Sequence, residues 1–370
     1  MCNKSYMRHA IELAKNGIGY TNPNPLVGAV IVKDGRIIGE GYHACCGSLH
    51  AERNAFANCT EDPTGADLYV TLEPCCHQGR TPPCTEIILE KNIRRVIIGS
   101  RDHNPKVSGK GAALLRSHGI EVIEDFLREE CDALNPIFFH YITKKMPYVA
   151  VKYAMTADGK IATVTGASQW ITGNAARAHV HALRHRYRGI LVGIGTVLTD
   201  DPLLNCRAEN GRDPVRIICD SHLRLPLESQ ICKTAKEIET IVACVDGDAE
   251  KIATLEACGI TLWQMPQRKG HVALRPLMEK LAEAEIDSVL AEGGGQIHFS
   301  LLEEGLVQKV YAYMAPKIFG GASAKTPVGG AGVSLPADAF LLKQTDLQAF
   351  GEDLLLEYDV LEGGKPCLQD

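Results

Sequence analysis

The sequence predicts an α/β protein built from two consecutive units, and three observations carry that expectation. A chain of 370 residues suits two or three domains of roughly 150 residues each. Hydrophobic residues at 45%, charged residues at 23% and a mean hydropathy of −0.06 describe an ordinary globular chain, neither disordered nor collagen-like. Apolar runs of strand length alternate with helical periodicity, stop near residues 135–147, and then resume. The 35 glycines fit the many tight strand-to-helix turns of such an architecture.

In the first half, apolar positions recur at helical spacing over residues 6–16. Thr21-Asn22-Pro23-Asn24-Pro25 breaks that helix ahead of a β-rich run at 26–32. Asp34-Gly35 reads as a hairpin turn into a strand at 36–41. A helix at 50–58, a strand at 67–72, a helix at 85–91, a strand at 95–99 and a helix at 111–117 follow, a three-layer α/β/α pattern. Residues 135–147, ending in Lys144-Lys145-Met146-Pro147, read as a linker. The second half gives strands at 148–154, 189–193, 215–219, 240–245 and 288–291, with helices at 174–187, 274–283 and 296–304. No internal repeat relates the halves. The expected domains are 1–146 and 147–370.

The net charge is −6 with a pI near 6.1, and residues 1–145 carry 17 basic and 17 acidic side chains. Neither half offers the clustered Lys and Arg that phosphate-backbone binding needs, so a nucleic-acid partner is not expected. No run approaches roughly 18 apolar residues, so no membrane span is expected. Charged residues in the first turns leave no apolar leader segment, so a reducing, cytoplasmic location is expected and the 14 cysteines read as thiols or metal ligands.

His50-Ala51-Glu52 precedes Pro74-Cys75-Cys76-His77-Gln78-Gly79-Arg80-Thr81-Pro82-Pro83-Cys84. This order resembles the H-x-E and P-C-x-x-C signature of zinc-dependent deaminases, except that eight residues separate Cys75 from Cys84. The chemistry is consistent with it. One imidazole (His50) and two thiolates (Cys75, Cys84) leave a fourth tetrahedral position open on Zn2+, as a catalytic site requires. Glu52 then serves as the unligated general acid/base. Cys75, read as lying near a helix N-terminus, suits a thiolate better than Cys76. A closed structural zinc with Cys76 or His77 as fourth ligand is the competing arrangement.

The run TLEPCCHQGRTPPC, with TNPNPLVGAVIVKDG upstream, resembles the deaminase half of the bifunctional deaminase-reductases of riboflavin biosynthesis, where the longer insertion is characteristic. The resemblance implies a cytidine-deaminase-like first domain acting on a diaminopyrimidine that carries a phosphoribosylamino group. It implies substrate contacts at Asn24, His43, His77 and Arg80. Asn24 between prolines also suits a turn, His43 a satisfied surface histidine, and Arg80 a solvated loop charge.

Val151–Ala162, Ser168–Thr172 and Gly195–Arg207 resemble, in order, the reductase half of the same family. That implies a dihydrofolate-reductase-like domain using NADPH. Two glycine-rich turns, at 192–197 and 292–295, suit phosphate or simply a tight turn. The family match implies Lys152 and Glu292 as a charged pair at C1′ of the sugar, with Glu292 also on the substrate. It implies substrate contacts at Ser168, Arg184, Leu204 and Arg207, and cofactor contacts at Ala154, Trp170, Thr196, Asp200, Ser221, Gly293, Gly294 and Gly295. Arg184 in HALRHRYR equally suits a solvated helix face, Trp170 a core position, and Asp200 either ligand. A homo-oligomer, dimer or tetramer, is expected through the reductase sheet. Competing functions are a nucleic-acid or nucleoside deaminase fused to an unrelated reductase, and a non-catalytic protein keeping a structural zinc.

Overall fold

The structure, a computed structural model, describes residues 2–77, 82–104 and 108–361. It divides into two compact units, Met1–Met146 and Pro147–Asp370.

The first unit runs α1 (Lys4–Lys15), β1 (Gly28–Lys33), β2 (Arg36–Tyr42), α2 (Ala51–Ala57), β3 (Asp67–Leu72), α3 (Cys84–Glu90), β4 (Arg95–Ser100), α4 (Lys110–Ser117), β5 (Glu121–Ile123), α5 (Arg128–Asp132) and α6 (Pro136–Lys144). Its sheet has the order β2-β1-β3-β4-β5. The β1–β2 and β1–β3 pairs are antiparallel, whereas β3–β4 and β4–β5 are parallel. Asp34 and Gly35 both sit at positive φ, 51° and 73°, the backbone that a two-residue hairpin turn needs. Side chains alternate across the sheet. Ala29, Ile31, Leu68, Val70, Val96 and Ile98 pack with Ala55, Ile88 and Leu115 from α2, α3 and α4. Val30, Val32, Tyr69 and Ile97 face Met7, Ala10 and Ala14 of α1 and Cys131. The period of two thus buries both faces and makes three layers.

The second unit runs β6 (Tyr148–Thr156), α7 (Asn174–Arg186), β7 (Gly189–Gly193), α8 (Ile194–Asp200), β8 (Val215–Cys219), α9 (Gln230–Lys233), β9 (Thr240–Cys244), α10 (Ala249–Ala257), β10 (Thr261–Gln264), β11 (Gln267–Arg268), β12 (His271–Val272), α11 (Leu274–Glu283), β13 (Ser288–Gly293), α12 (Gly295–Glu303), β14 (Val307–Ala315), β15 (Leu342–Phe350) and β16 (Asp353–Val360). Nine strands order as β10-β9-β8-β7-β13-β6-β14-β16-β15. They are parallel up to β14, and β16 and β15 add antiparallel. β13 inserts between β6 and β7, so the chain order reverses there and the strand ends open a crevice. Pairing of β13 with β7 skips from Ala291 to Gly293, a bulge that re-aims Glu292.

Residues 135–147 are not a free linker. Pro136 opens α6, a favoured position because proline has no N–H to leave unpaired. Buried Asn135 exchanges two hydrogen bonds with the Leu26 backbone, at 2.7 and 2.9 Å, which ties the segment to the first unit. Residues 192–197, read as a glycine-rich turn, are the end of β7 and the start of helix α8. Strands β14 to β16 carry no expectation from the sequence; β15 is an exposed edge strand with a weak periodic signal, whereas β14 is mostly buried between β6 and β16 and so lacks a clean alternation.

Candidate functional site

In the first unit, His50 caps the start of α2, Cys75 follows β3, and Cys84 is the first residue of α3. The cysteine at a helix start is therefore Cys84, a correction to the reading of Cys75. Cys75 gains the same benefit indirectly, because its Sγ accepts the Cys84 backbone N–H at 3.3 Å. His50 Nδ1 lies 3.5 Å from Cys75 Sγ and 3.4 Å from Cys84 Sγ. A tetrahedral zinc with ordinary Zn–N and Zn–S bonds requires N···S edges of roughly 3.6 Å, so the donor set fits the ion. Among the described residues this triad is the one cluster whose ligand atoms all lie within 4.8 Å of one another. The Cys84 side chain above all, with His50, holds the Cys75 thiol down at about 4, a thiolate ready for a cation.

Glu52 points inward from α2, 3% exposed, and burial pushes its carboxyl up from the ordinary range. His43 is buried rather than on the surface, packs edge-on to His50 with ring centroids 5.5 Å apart, and is pushed down by burial. Its Nδ1 faces the Leu49 carbonyl at 3.1 Å, which leaves Nε2 to accept from the Asn24 amide at 3.2 Å. The structure thus gathers Asn24, His43, His50, Glu52, Cys75 and Cys84. His77 is exposed, Arg80 lies outside the described residues, and Cys76 is not part of the triad.

Sequence reasoning missed Glu73, two residues before Cys75. Its buried carboxylate accepts N–H groups of Gly109, Gly111 and Ala112 at 2.8, 3.0 and 3.2 Å, anchoring the start of α4. A Cβ at Gly111 would stand 2.2 Å from the Pro74 carbonyl, so only glycine lets α4 brace the ligand-bearing loop. Adjacency to the cysteine motif was the available signal.

In the second unit a cleft of about 1290 Å³ opens at the C-terminal ends of β6, β7 and β13. It is lined by Lys152, Ala154, Ser168, Trp170, Arg184, Thr196, Asp200, Leu204, Arg207, Ser221, Glu292, Gly293, Gly294 and Gly295. That volume exceeds the roughly 300–1,000 Å³ of a single small-molecule pocket, and suits two ligands together. At its floor the Glu292 carboxylate takes Arg184 Nε at 2.7 Å and Nη2 at 2.9 Å, with Lys152 Nζ at 3.5 Å. Burial alone would push Glu292 up, but Arg184 and Lys152 hold it down at about 2. Lys152 is lowered by burial, which the Glu292 charge only partly offsets.

Arg184 is neither on a solvated face nor a freely exposed guanidinium. Its fork faces Glu292 and its Nη1 donates to the Asn205 carbonyl at 2.9 Å. Trp170 is 58% exposed, not a core aromatic, and lies under the Arg177 guanidinium at 4.4 Å. Ser168 Oγ donates to Asp200 Oδ1 at 3.1 Å. The Leu204 side chain belongs to the core under β7 to β9, so its backbone is what it can offer a ligand. Gly293 packs on Thr196, and Gly294 has φ 84°. Gly295 O accepts Gly329 N–H at 3.0 Å, and a Cβ there would crowd the 326–329 backbone. The start of α12 consequently presents N–H groups to the cleft, an arrangement suited to phosphate. Buried Ser221 spends its hydroxyl on Val272 N–H at 3.2 Å. Arg177 and buried His298, bonded to the Pro327 carbonyl at 2.8 Å, line the cleft too, and no local motif announced either.

Comparison with known proteins places both units. Residues 147–356 match the family model described as RibD C-terminal domain, and residues 1–100 match the cytidine and deoxycytidylate deaminase zinc-binding region. The chain is 55% identical over 361 residues to the riboflavin biosynthesis protein RibD of Actinobacillus pleuropneumoniae, covering 98% of this chain and 96% of that one. It is 37% identical to the RibD of Escherichia coli, covering 96% and 99%. Among solved structures it resembles a diaminohydroxyphosphoribosylaminopyrimidine deaminase/5-amino-6-(5-phosphoribosylamino)uracil reductase of Thermotoga maritima, with TM-score 0.85, 40% identity and coverage of 96% and 98%. It also resembles Acinetobacter baumannii RibD, with TM-score 0.86, 36% identity and coverage of 97% and 98%.

Proposed function

Because this chain belongs to the RibD family, an N-terminal deaminase domain followed by a reductase domain in riboflavin biosynthesis, we propose specific cofactors and residue roles for its two steps. Residues 1–146 deaminate 2,5-diamino-6-(5-phosphoribosylamino)pyrimidin-4-one, taking up water and releasing ammonia. Residues 147–370 then reduce the ribosylamino group of 5-amino-6-(5-phosphoribosylamino)uracil to ribitylamino.

His50, Cys75 and Cys84 hold zinc, which when bound supplies the Lewis acidity that makes water a nucleophile near neutral pH. Glu52, buried beside the triad and raised, takes a proton from the attacking water and passes it to the departing amine. His43 and Asn24, bonded to one another at 3.2 Å, orient the pyrimidine. The start of α12 would hold the phosphates of NADPH, with Ala154, Trp170, Thr196 and Ser221 lining the rest of its site, and the cofactor when bound would supply the hydride for C1′. Lys152, held by Glu292, polarises the open-chain imine nitrogen as hydride arrives. Ser168 and Arg207 grip the substrate 5′-phosphate, and Asp200 orients Ser168.

The observation that carries this reading is a His/Cys/Cys triad at tetrahedral spacing with a buried, unligated carboxyl two residues from the histidine. A structural zinc has no use for that carboxyl. The reading includes a cytoplasmic location, supported by 13 described cysteines all being free, and a homo-oligomer, supported by Leu342 and Leu347 exposed on edge strand β15. No described helix is long and apolar enough to cross a membrane. The test incubates the full chain with the diaminopyrimidine phosphate, following ammonia and NADPH oxidation separately. Ammonia should appear without NADPH and disappear after chelation, and NADPH should be consumed only once the deaminated product is present. Inosine formed from a tRNA anticodon stem-loop, with no turnover of the pyrimidine, would overturn it.

A further inference from the structure

Three bonds hold the two cysteines of the triad together. The Cys84 backbone N–H reaches Cys75 Sγ at 3.3 Å, and Thr85 gives both its N–H, at 3.2 Å, and its hydroxyl, at 3.3 Å, to the Cys75 carbonyl. Cys75 and the first turn of α3 are therefore held as one piece. His50 and Glu52 belong to another, the first turn of α2. The histidine-to-sulfur edges of 3.4 and 3.5 Å depend on how these two pieces are set against each other.

Arg53, the residue after Glu52, spans that seam. Its Nε donates to the Pro82 carbonyl at 3.2 Å and its Nη2 to the Pro83 carbonyl at 3.0 Å, and these are the two residues immediately before Cys84. Proline carries no N–H, so two consecutive prolines can be tied by backbone hydrogen bonds only through their carbonyls. Nε and Nη2 lie on one edge of a planar guanidinium, and two bonds from one rigid group fix direction as well as distance. A lysine ammonium at the same place would act as a point charge and leave the orientation free. Ala55 of α2 and Ile88 of α3 share the apolar core, but apolar packing is non-directional and does not by itself set one first turn in register with the other. Glu52 also meets the Cys84 thiol across the seam, yet that bond uses the proton that a metal ligand must give up.

We infer that Arg53 is a positioning residue of the metal centre: its fork on the Pro82 and Pro83 carbonyls sets Cys84 at ligand spacing from His50, and so sets the affinity for zinc. This rests on the reading of His50, Cys75 and Cys84 as zinc ligands. Arg53 acts through Cys84 and takes no part in the proton transfers.

The test is a competition for zinc between the full chain and a chromophoric chelator. Arg53→Ala should bind zinc about 10- to 100-fold more weakly than wild type, the usual cost of losing a group that orients a metal ligand. Arg53→Lys, which keeps the charge but not the fork, should recover only part of that loss. Thermal unfolding of the metal-free proteins should differ little, while the rise in Tm on adding zinc should shrink in Arg53→Ala. Unchanged zinc affinity in Arg53→Ala would overturn the inference, and full recovery by Arg53→Lys would replace the fork by charge alone and overturn it too. A lower Tm in metal-free Arg53→Ala, with the same rise on adding zinc as wild type, would make Arg53 a tie of the fold and nothing more. If wild type and His50→Ala take up zinc alike, the reading of the triad itself falls, and this inference with it.

Discussion

The two sites carry opposite charge imbalances. In the first unit, two thiols and a buried carboxyl surround one imidazole, and without a cation the cluster is short of positive charge. In the second, Lys152 and Arg184 share the single carboxylate of Glu292, and Arg207 stands beyond them, so that cluster is short of negative charge. Buried charge is costly unless compensated. The first site therefore calls for a metal ion and the second for phosphorylated ligands, and each imbalance names its missing partner. They also differ in how they are built. His50, Glu52, Cys75 and Cys84 come from two short segments, whereas Lys152 and Glu292 are 140 residues apart in the chain.

The strongest way to break this contrast is to remove a ligand of the first site. Cys75→Ser or Cys84→Ser should lose bound zinc and all ammonia release, while Cys76→Ser should keep one zinc per chain; metal analysis giving the reverse pattern would reassign the triad. Next in size, Glu52→Gln should retain zinc and lower ammonia release by about 10²- to 10⁴-fold, the usual worth of a general acid/base. Undiminished deamination by that variant would remove Glu52 from the mechanism. Smaller still, Lys152→Ala should slow NADPH oxidation by about a hundredfold and leave ammonia release intact. The fold should survive, because Glu292 keeps its two-point contact with Arg184 at 2.7 and 2.9 Å. Loss of both activities in Lys152→Ala would mean that the two units are not independent in function.

The sequence alone determined the elements whose signals are local. The Asp34-Gly35 turn, the alternation along β1, β3 and β4, and the position of His50 ahead of a helix follow from backbone preference and periodicity over a few residues. The His50, Cys75 and Cys84 cluster was legible because its order and spacing within 35 residues match a known deaminase signature. Long-range pairing was not. That β13 lies between β6 and β7, that its bulge turns Glu292 toward Lys152, and that Arg184 meets that carboxylate across 108 residues depend on which elements become neighbours. Arg184 in a basic helical run looks solvated until β13 brings it a buried partner. Asn135 looks like the start of a linker until the Leu26 backbone takes both ends of its amide. In each case the deciding energy is the pairing of buried polar groups, and a side chain's partner across the fold leaves no mark in the residues beside it.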